Sequence, residues 1–309
     1  MKIYIFKGIG MFMLLACVSQ VKAQQDPMYT QYMFNMLAVN PAYAGSRNVV
    51  SATALYRNQW TGLDGAPQTT TFTIDAPVND KKIGLGLQVF NDRLGITNTT
   101  GIVLTSAYRI RMDRGTLSFG IQGNVANRRA DFTQVRLDPT GTSNDVAFQD
   151  FNSQTNFNIG TGVYYNSDRF YVGLSAPQLL PTLYANSSGR NLSKQEIHLF
   201  LASGFVANLG TDFKLKPSVL VKGVAGAPIQ ADINATFWIK DMIGIGGQYR
   251  TNADVSAFLE LQLNQQMRLG YAYDYSVTRL QSFNSGSHEL MLRYEFGFEK
   301  DKFISPRFF

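Results

Sequence analysis

The chain has 309 residues, a formal net charge of +6 and only 16% charged residues, against roughly 25% in soluble domains. Its basic residues are dispersed, which argues against nucleic-acid binding. The single cysteine, Cys17, lies close to the start, so a disulfide framework, a CxxC redox motif and a thiolate zinc site are excluded. The length allows one large domain or two ordinary ones.

The first residues predict a secretory signal peptide. Lys2 and Lys7 precede an apolar run at 9–18, which is too short to span a bilayer as a helix, and a small-residue cleavage site ends at Ala23. Cleavage there removes three lysines and leaves 25 basic against 22 acidic residues, a net charge of +3. An alternative is that the segment 14–17 is the box before a lipidated cysteine. In both cases the protein is exported.

Period-two alternation dominates the rest of the chain, and helical periodicity is nearly absent. The segment 288–298 shows the pattern, with one face made of Leu290, Leu292, Tyr294, Phe296 and Phe298 and the other of Glu289, Met291, Arg293 and Glu295. Most such segments have roughly 9–12 residues, which suits tilted strands that cross a membrane. A soluble β-sandwich or β-helix is the alternative, but its strands are usually shorter.

The polar faces of these segments carry charges that a dry core would rarely accept: Arg57, Arg250, Glu260, Arg268, Asp274 and Arg293. A closed barrel with lipid outside and a polar lumen accommodates both faces and leaves no unpaired strand edge. The sequence therefore predicts an all-β fold, a transmembrane antiparallel β-barrel.

The segments number about 14, near 49–60, 68–78, 82–92, 98–111, 115–129, 156–166, 169–177, 196–207, 213–224, 229–239, 242–251, 254–264, 267–277 and 287–298. Tight connections alternate with a set containing the long ones, 61–67, 130–155, 178–195 and 278–286, as in barrels with short periplasmic turns and longer external loops. An even count puts both ends of the barrel in the periplasm. The predicted divisions are a signal peptide at 1–23, a periplasmic leader or plug at 24–48, the barrel at 49–298 and a periplasmic tail at 299–309.

The sequence offers no catalytic set with a recognisable motif. Its two histidines are His198 and His288, and neither Ser203 nor Ser287, the nearest candidate nucleophiles, lies in a nucleophile elbow. Histidines some ninety residues apart without clustered acids give no metal-ligand spacing. We therefore predict no catalytic, cofactor-binding or metal-binding residues and no enzymatic activity.

The leader is unusual because it is too polar and aromatic for a flexible linker. Asp26 to Asn35 is rich in both residue classes, and Asn40 to Gly45 forms a turn in which proline presets one φ and glycine permits a positive φ. Such a segment can fill the base of the barrel or contact a periplasmic partner.

The leader and the first hairpin resemble the PorP/SprF outer-membrane proteins of the type IX secretion system. The matching residues, in order and at the family's spacing, are Asp26-Pro27, Gln31-Tyr32, Asn40-Pro41-Ala42-Tyr43-Ala44-Gly45, Tyr56-Arg57, Gln59-Trp60 and Gly65-Ala66-Pro67. The combination is specific, although each piece alone is weak. The remainder of the chain matches in length, in strand-rich character and in its aromatic last strand.

The resemblance implies an outer-membrane barrel that works with the secretion and gliding machinery. It implies partners among the machine's subunits and the C-terminal domains of secreted, adhesin-like cargo, in addition to outer-membrane lipid. The motif residues are then candidate partner contacts, with no cofactor, no nucleic acid and no small-molecule substrate. The alternative function is a channel for a small or hydrophobic solute, and an outer-membrane hydrolase that uses His198 or His288 comes third.

Overall fold

The computed structural model describes residues 28–131, 151–185 and 191–296, and strands dominate these ranges. The strands are β1 Val50–Asn58, β2 Gln68–Val78, β3 Ile83–Leu94, β4 Thr97–Met112, β5 Gly115–Asp131, β6 Phe151–Asn166, β7 Phe170–Ala176, β8 Thr182–Ala185, β9 Asn191–Gln195, β10 His198–Phe205, β11 Ala207–Asn208, β12 Phe213–Val224, β13 Gln230–Ile239, β14 Ile243–Arg250, β15 Asp254–Gln262, β16 Met267–Ser276 and β17 Ser287–Phe296. The predicted signal peptide at 1–23 and the tail at 299–309 lie outside the described ranges.

Fourteen of these strands close into an antiparallel barrel. β1 pairs with both β2 and β17, and β10 pairs with both β7 and β12, so the wall made of β1–β7, β10 and β12–β17 has no free edge. The short β11 continues the wall beside β12, and β8 and β9 form a separate hairpin. The predicted fold class is confirmed.

The alternation in sequence becomes an apolar outside and a polar inside. On β17, Leu290 and Leu292 are 55% and 40% exposed, whereas Glu289 and Arg293 are 0% and 2% exposed. Eight outward aromatic side chains of the described ranges lie near the periplasmic strand ends, as in the girdles of membrane barrels. They are Tyr108, Phe119, Phe170, Phe205, Phe213, Phe237, Tyr294 and Phe296.

The connections follow the predicted pattern of short periplasmic turns and longer external loops. Lys240 and Asp241, in the turn between β13 and β14, both have positive φ (49° and 56°), as the tight hairpin turn requires. Two external loops differ from expectation: β5 and β6 extend into the predicted loop 130–155, and the loop 178–195 contains the β8–β9 hairpin. No helix in the described ranges is long and apolar enough to cross a membrane.

Candidate functional site

Residues 28–47 occupy the lumen, and we call this segment the plug. It folds into a 3-10 turn at Tyr32–Phe34, one α-helical turn at Met36–Val39 and a second 3-10 turn at Pro41–Tyr43. Its side chains are almost inaccessible, with Thr30 and Ala42 at 0% exposure. The sequence left open a periplasmic leader or a plug for residues 24–48; the described part, from residue 28, lies within the barrel.

The plug runs from the external end of the barrel to the periplasmic end. The backbone N–H groups of Thr30 and Gln31 donate to Glu289, close to the external end of β17. Arg47 pairs with Glu295, close to the periplasmic end of the same strand. The two glutamates lie six positions apart along the strand, a distance of roughly 20 Å. An even strand count fixes only where β1 begins, so it leaves the path of the leader open between the periplasm and the lumen.

A buried ionic network holds the external end of the plug. Arg57 pairs with Asp274 at 2.6 Å and with Glu289 at 2.9 Å, and it donates to the Thr30 hydroxyl at 2.8 Å. That hydroxyl donates to Asp274, and Glu289 accepts the N–H groups of Thr30 and Gln31 at 2.9 and 2.7 Å. Since buried charges are tolerated only when they are paired and hydrogen-bonded, this wall network depends on the plug.

A second buried ion pair, Arg250–Asp232, lies beside this network. Arg250 binds both carboxylate oxygens of Asp232, at 2.8 and 2.9 Å, and donates to the backbone carbonyl of Tyr29 at 3.3 Å. The Tyr29 hydroxyl is 2.6 Å from that of Thr71 on the opposite side of the plug. Desolvation raises the pKa of the Tyr29 phenol well above its ordinary value, so the group stays neutral and can donate.

The Phe34 ring lies among three cations of the wall. The charged ends of Lys216, Arg268 and Arg293 lie 5.8, 5.7 and 5.4 Å from the ring centroid. Arg293 also donates to the Phe34 carbonyl oxygen. Cations over an aromatic face are attracted to it, and the attraction grows when both groups are shielded from water. Phe34 therefore joins the plug to β12, β16 and β17.

The turn formed by residues 40–45 packs against the inner face of the barrel wall. Asn40 Nδ2 donates to the Val163 carbonyl at 3.0 Å and to the Leu174 carbonyl at 3.4 Å, while Oδ1 accepts the Ala42 N–H at 2.9 Å. Gly45 has φ +70° and donates its N–H to Asp75 at 2.8 Å. One asparagine thus caps the turn and binds both β6 and β7.

Inward glycines of the wall make room for this turn. A Cβ at Gly120 would lie 2.2 Å from the Ala42 nitrogen, and one at Gly84 would lie 1.9 Å from the Ala44 carbonyl oxygen. Both distances are far below van der Waals contact, so these strand positions accept no side chain while the plug is in place. Close approach of the plug backbone therefore explains the glycines at these two strand positions.

We expect Gly120→Ala to destabilise the barrel by about 1–3 kcal/mol, the usual cost of overpacking, because the backbone of the plug has to move. Gly123→Ala is the matched control on the outward face of the same strand, where the new Cβ would meet nothing closer than Phe157 at 3.9 Å. The measurement is the urea midpoint of the purified protein in detergent. Equal midpoints for the two variants would contradict the packing of the plug against β5.

A cavity of about 300 Å³ remains between the plug and the inner faces of β3 to β6. It reaches Leu94 and Thr97, at the external ends of β3 and β4, and therefore lies on the external side of the plug. Its wall includes Gln88, Gln122, Asn124, Asn156 and Asn158, and its apolar part includes Val39, Phe200 and Leu220.

The sequence-predicted contact residues divide into two groups. Those at the plug and its wall are buried: Gln31, Tyr32, Asn40, Pro41, Ala42, Tyr43, Gly45 and Arg57. Those in the external β1–β2 loop are partly or fully exposed: Gln59, Trp60, Gly65 and Pro67. Asp26 and Pro27 lie outside the described ranges. The partners Glu289 and Asp274 were not predicted, although their place on the polar strand faces was the available signal.

The β1–β2 loop is joined to its neighbours by backbone hydrogen bonds. Thr61 N–H donates to the Gly286 carbonyl at 2.8 Å, and Ser285 N–H donates to the Thr61 carbonyl at 2.7 Å, which ties it to the β16–β17 loop. The Gly65 carbonyl accepts the Gly95 N–H at 2.8 Å. The exposed motif residues therefore belong to an ordered external surface.

The structure does not bring the candidate nucleophiles and histidines together. His198 and Ser203 lie five residues apart on β10, and Ser287 and His288 are neighbours on β17, so each pair points to opposite faces of its strand. His288 instead meets the Tyr271 hydroxyl at 2.8 Å on the outer surface. In the described ranges no three His, Cys, Asp or Glu side chains are grouped as metal ligands.

Comparison with solved structures returns membrane barrels of low sequence identity. The Acinetobacter baumannii outer membrane protein Omp33 is 7% identical, with 80% of this chain and 96% of that chain covered and a TM-score of 0.45. The TodX deltaS2S3 mutant monoaromatic hydrocarbon channel is 8% identical, with 84% and 94% covered and a TM-score of 0.49. A Pseudomonas aeruginosa FadL homologue is 12% identical, with 91% and 97% covered and a TM-score of 0.48.

No curated protein matches the sequence. The family model described as "Type IX secretion system membrane protein PorP/SprF" matches residues 21–294, nearly the whole chain. The match includes the plug, and with it the buried motif residues, as well as all but the end of the closed wall. The chain therefore belongs to the PorP/SprF family of type IX secretion system membrane proteins, as an outer-membrane β-barrel.

Proposed function

We propose that this barrel docks specific secreted, adhesin-like cargo or subunits of the machine for export or surface retention. Family membership implies association with the secretion machinery. The observation that carries the proposal is the filled lumen: residues 28–47 occupy the interior. They are held at one end by hydrogen bonds to the buried Arg57–Glu289 pair and at the other by the Arg47–Glu295 ion pair. A barrel whose interior is filled by its own chain is better suited to holding a partner than to conducting a solute.

Cargo would bind on the external side. The ordered loop that carries Gln59, Trp60, Gly65 and Pro67 is partly exposed there, and its Gly65 binds Gly95, the residue after the cavity-lining Leu94. The C-terminal domains of secreted proteins are the cargo parts we expect to dock. Machine subunits would bind the periplasmic turns and the tail 299–309, because the plug residues are buried and offer them no surface.

The proposal includes export by a signal peptide that is cleaved after Ala23. The family match begins at residue 21, close to this point, which supports a mature chain that starts near the plug. The family is not known as one of enzymes, and we propose a non-enzymatic role without cofactor, nucleic acid or small-molecule substrate.

Deletion of the gene should remove one or a few large proteins from the cell surface while total secretion by the machine continues. Surface proteomes of the wild-type, deleted and complemented strains test this. Restoration by the wild-type gene is the control for effects on neighbouring genes. An unchanged surface proteome in the deletion strain would overturn the docking function.

The cavity favours a second candidate, a channel for a small or hydrophobic solute, because a fourteen-strand barrel is wide enough for a lumen. Purified protein in planar bilayers separates the two functions. Docking predicts a closed barrel, and reproducible solute-selective conductance would support transport instead.

A further inference from the structure

The wall of the external cavity already binds a piece of its own chain, residues 177–180. Asn158 Oδ1 accepts the Leu180 N–H at 3.0 Å, and its Nδ2 donates to the Leu180 carbonyl at 2.7 Å. Gln122 Nε2 donates to the Pro177 carbonyl at 2.9 Å. Two inward carboxamides thus bind the main chain that follows β7, since a carboxamide offers the same donor and acceptor as a peptide group.

The neighbouring carboxamide, that of Asn124, has an acceptor oxygen to which no group in the described ranges donates a hydrogen bond. Asn124 lies directly opposite Asn158 in the β5–β6 register, and it is 7% exposed. The residue lines the cavity, and its Oδ1 is buried and accepts no hydrogen bond from the described part of the chain. A buried acceptor left unpaired costs about 1–3 kcal/mol, so this position favours a ligand that brings an N–H group.

The same row continues across the sheet. Val103 pairs with Asn124 on one side and with Gln88 on the other, so one line of inward side chains reads Gln88, Val103, Asn124 and Asn158. All four line the cavity. Three carboxamides and one apolar side chain thus share this row, and the carboxamides offer the donors and acceptors that a peptide main chain needs.

The opposite side of the cavity is apolar. Val39 of the plug, Phe200 of β10 and Leu220 of β12 are 7%, 6% and 2% exposed and line it. The volume of about 300 Å³ lies at the lower end of the range of ligand pockets, roughly 300–1,000 Å³. The space suits a short stretch of chain with one or two apolar side chains rather than a folded domain.

We propose that this cavity binds an extended peptide segment of a partner protein, which enters from the external side. Its main chain would donate to Asn124 and hydrogen-bond Gln88, and an apolar side chain would lie against Val39 and Phe200. The inference rests on the proposed docking function, for which it supplies the contact that selects the cargo.

The test uses the full mature chain, purified in detergent, and fluorescein-labelled decapeptides that tile the proteins lost from the surface of the deletion strain. At least one decapeptide should bind, and Asn124→Leu should weaken its binding roughly tenfold or more, as loss of about 1.4 kcal/mol or more implies. Val125→Leu is the matched control, because Val125 is the next residue on β5 and points outward with 49% exposure. It should bind like the wild type.

A photoreactive benzoylphenylalanine at Phe90, which lines the cavity, keeps the test independent of Asn124→Leu assembly. It should cross-link the peptide, whereas the same group at Phe119, on the outer face, should not. If the deletion strain lost surface proteins but no decapeptide bound, the peptide site would be overturned and the docking function would stand. If the photoreactive group cross-linked only to its own chain, a peptide would not be the ligand. The same would follow if an oligosaccharide or hydrocarbon probe, instead of a peptide, bound in a way that depended on Asn124. A deletion strain with an unchanged surface would overturn both.

Discussion

Arg57→Met should destabilise the folded barrel by about 3–5 kcal/mol, the cost expected when one partner of a buried ion pair is removed. Asp274 and Glu289 would then share a water-excluded site without their cation, and the Thr30 hydroxyl would lose a donor. Arg57→Lys should rescue only part of the loss, because an ammonium group cannot reproduce the fork that reaches both carboxylates. The measurement is equilibrium unfolding in urea in a fixed detergent.

Lys214→Met is the control, because the Lys214–Asp241 pair at 2.7 Å lies in a partly exposed periplasmic position. An exposed pair contributes about 0–1 kcal/mol, so this variant should unfold near the wild-type midpoint. Arg57→Met combined with Asp274→Asn and Glu289→Gln should recover much of the stability. If Arg57→Met alone were as stable as Lys214→Met, the Arg57 network would not be what holds the external end of the plug.

Phe34→Ala should cost about 3–5 kcal/mol, since removing a buried phenylalanine leaves a cavity that the surroundings fill only in part. Three cations would also lose the ring over which they lie. Phe119→Ala is the matched control, because Phe119 is outward and 47% exposed, and lipid or detergent replaces its contacts. The same urea titration compares the two, and equal losses would place Phe34 outside the packed lumen.

Most of the fold could be predicted from the sequence because each strand has one face towards lipid. In β17 the outward Leu290 and Leu292 and the inward Glu289 and Arg293 alternate without interruption, which fixes both the strand and its register. The loop 130–155 was predicted too long because the ends of β5 and β6, Asp131 and Phe151, extend beyond the apolar layer, where no alternation is required.

The contacts inside the barrel were harder to predict from the sequence, because the partner of an inward side chain comes from a distant part of the chain. Arg57 and Arg293 stood out as charges on polar faces, but their contacts with Thr30 and Phe34 join positions more than 25 residues apart. The glycines Gly84 and Gly120 lie against the backbone of the plug, a contact that alternation within a strand does not indicate.

The most direct test of the account is the chemical accessibility of the plug in native outer-membrane fragments. The predicted mature chain has no cysteine, so Ser46→Cys in the plug and Ser282→Cys in an external loop each introduce a single thiol. Ser46 is 3% exposed and Ser282 is exposed, and the substitution is nearly isosteric in both places. We predict that a small maleimide labels Ser282→Cys in the folded protein and labels Ser46→Cys only after denaturation. Equal labelling of both thiols in intact fragments would contradict a lumen filled by its own chain.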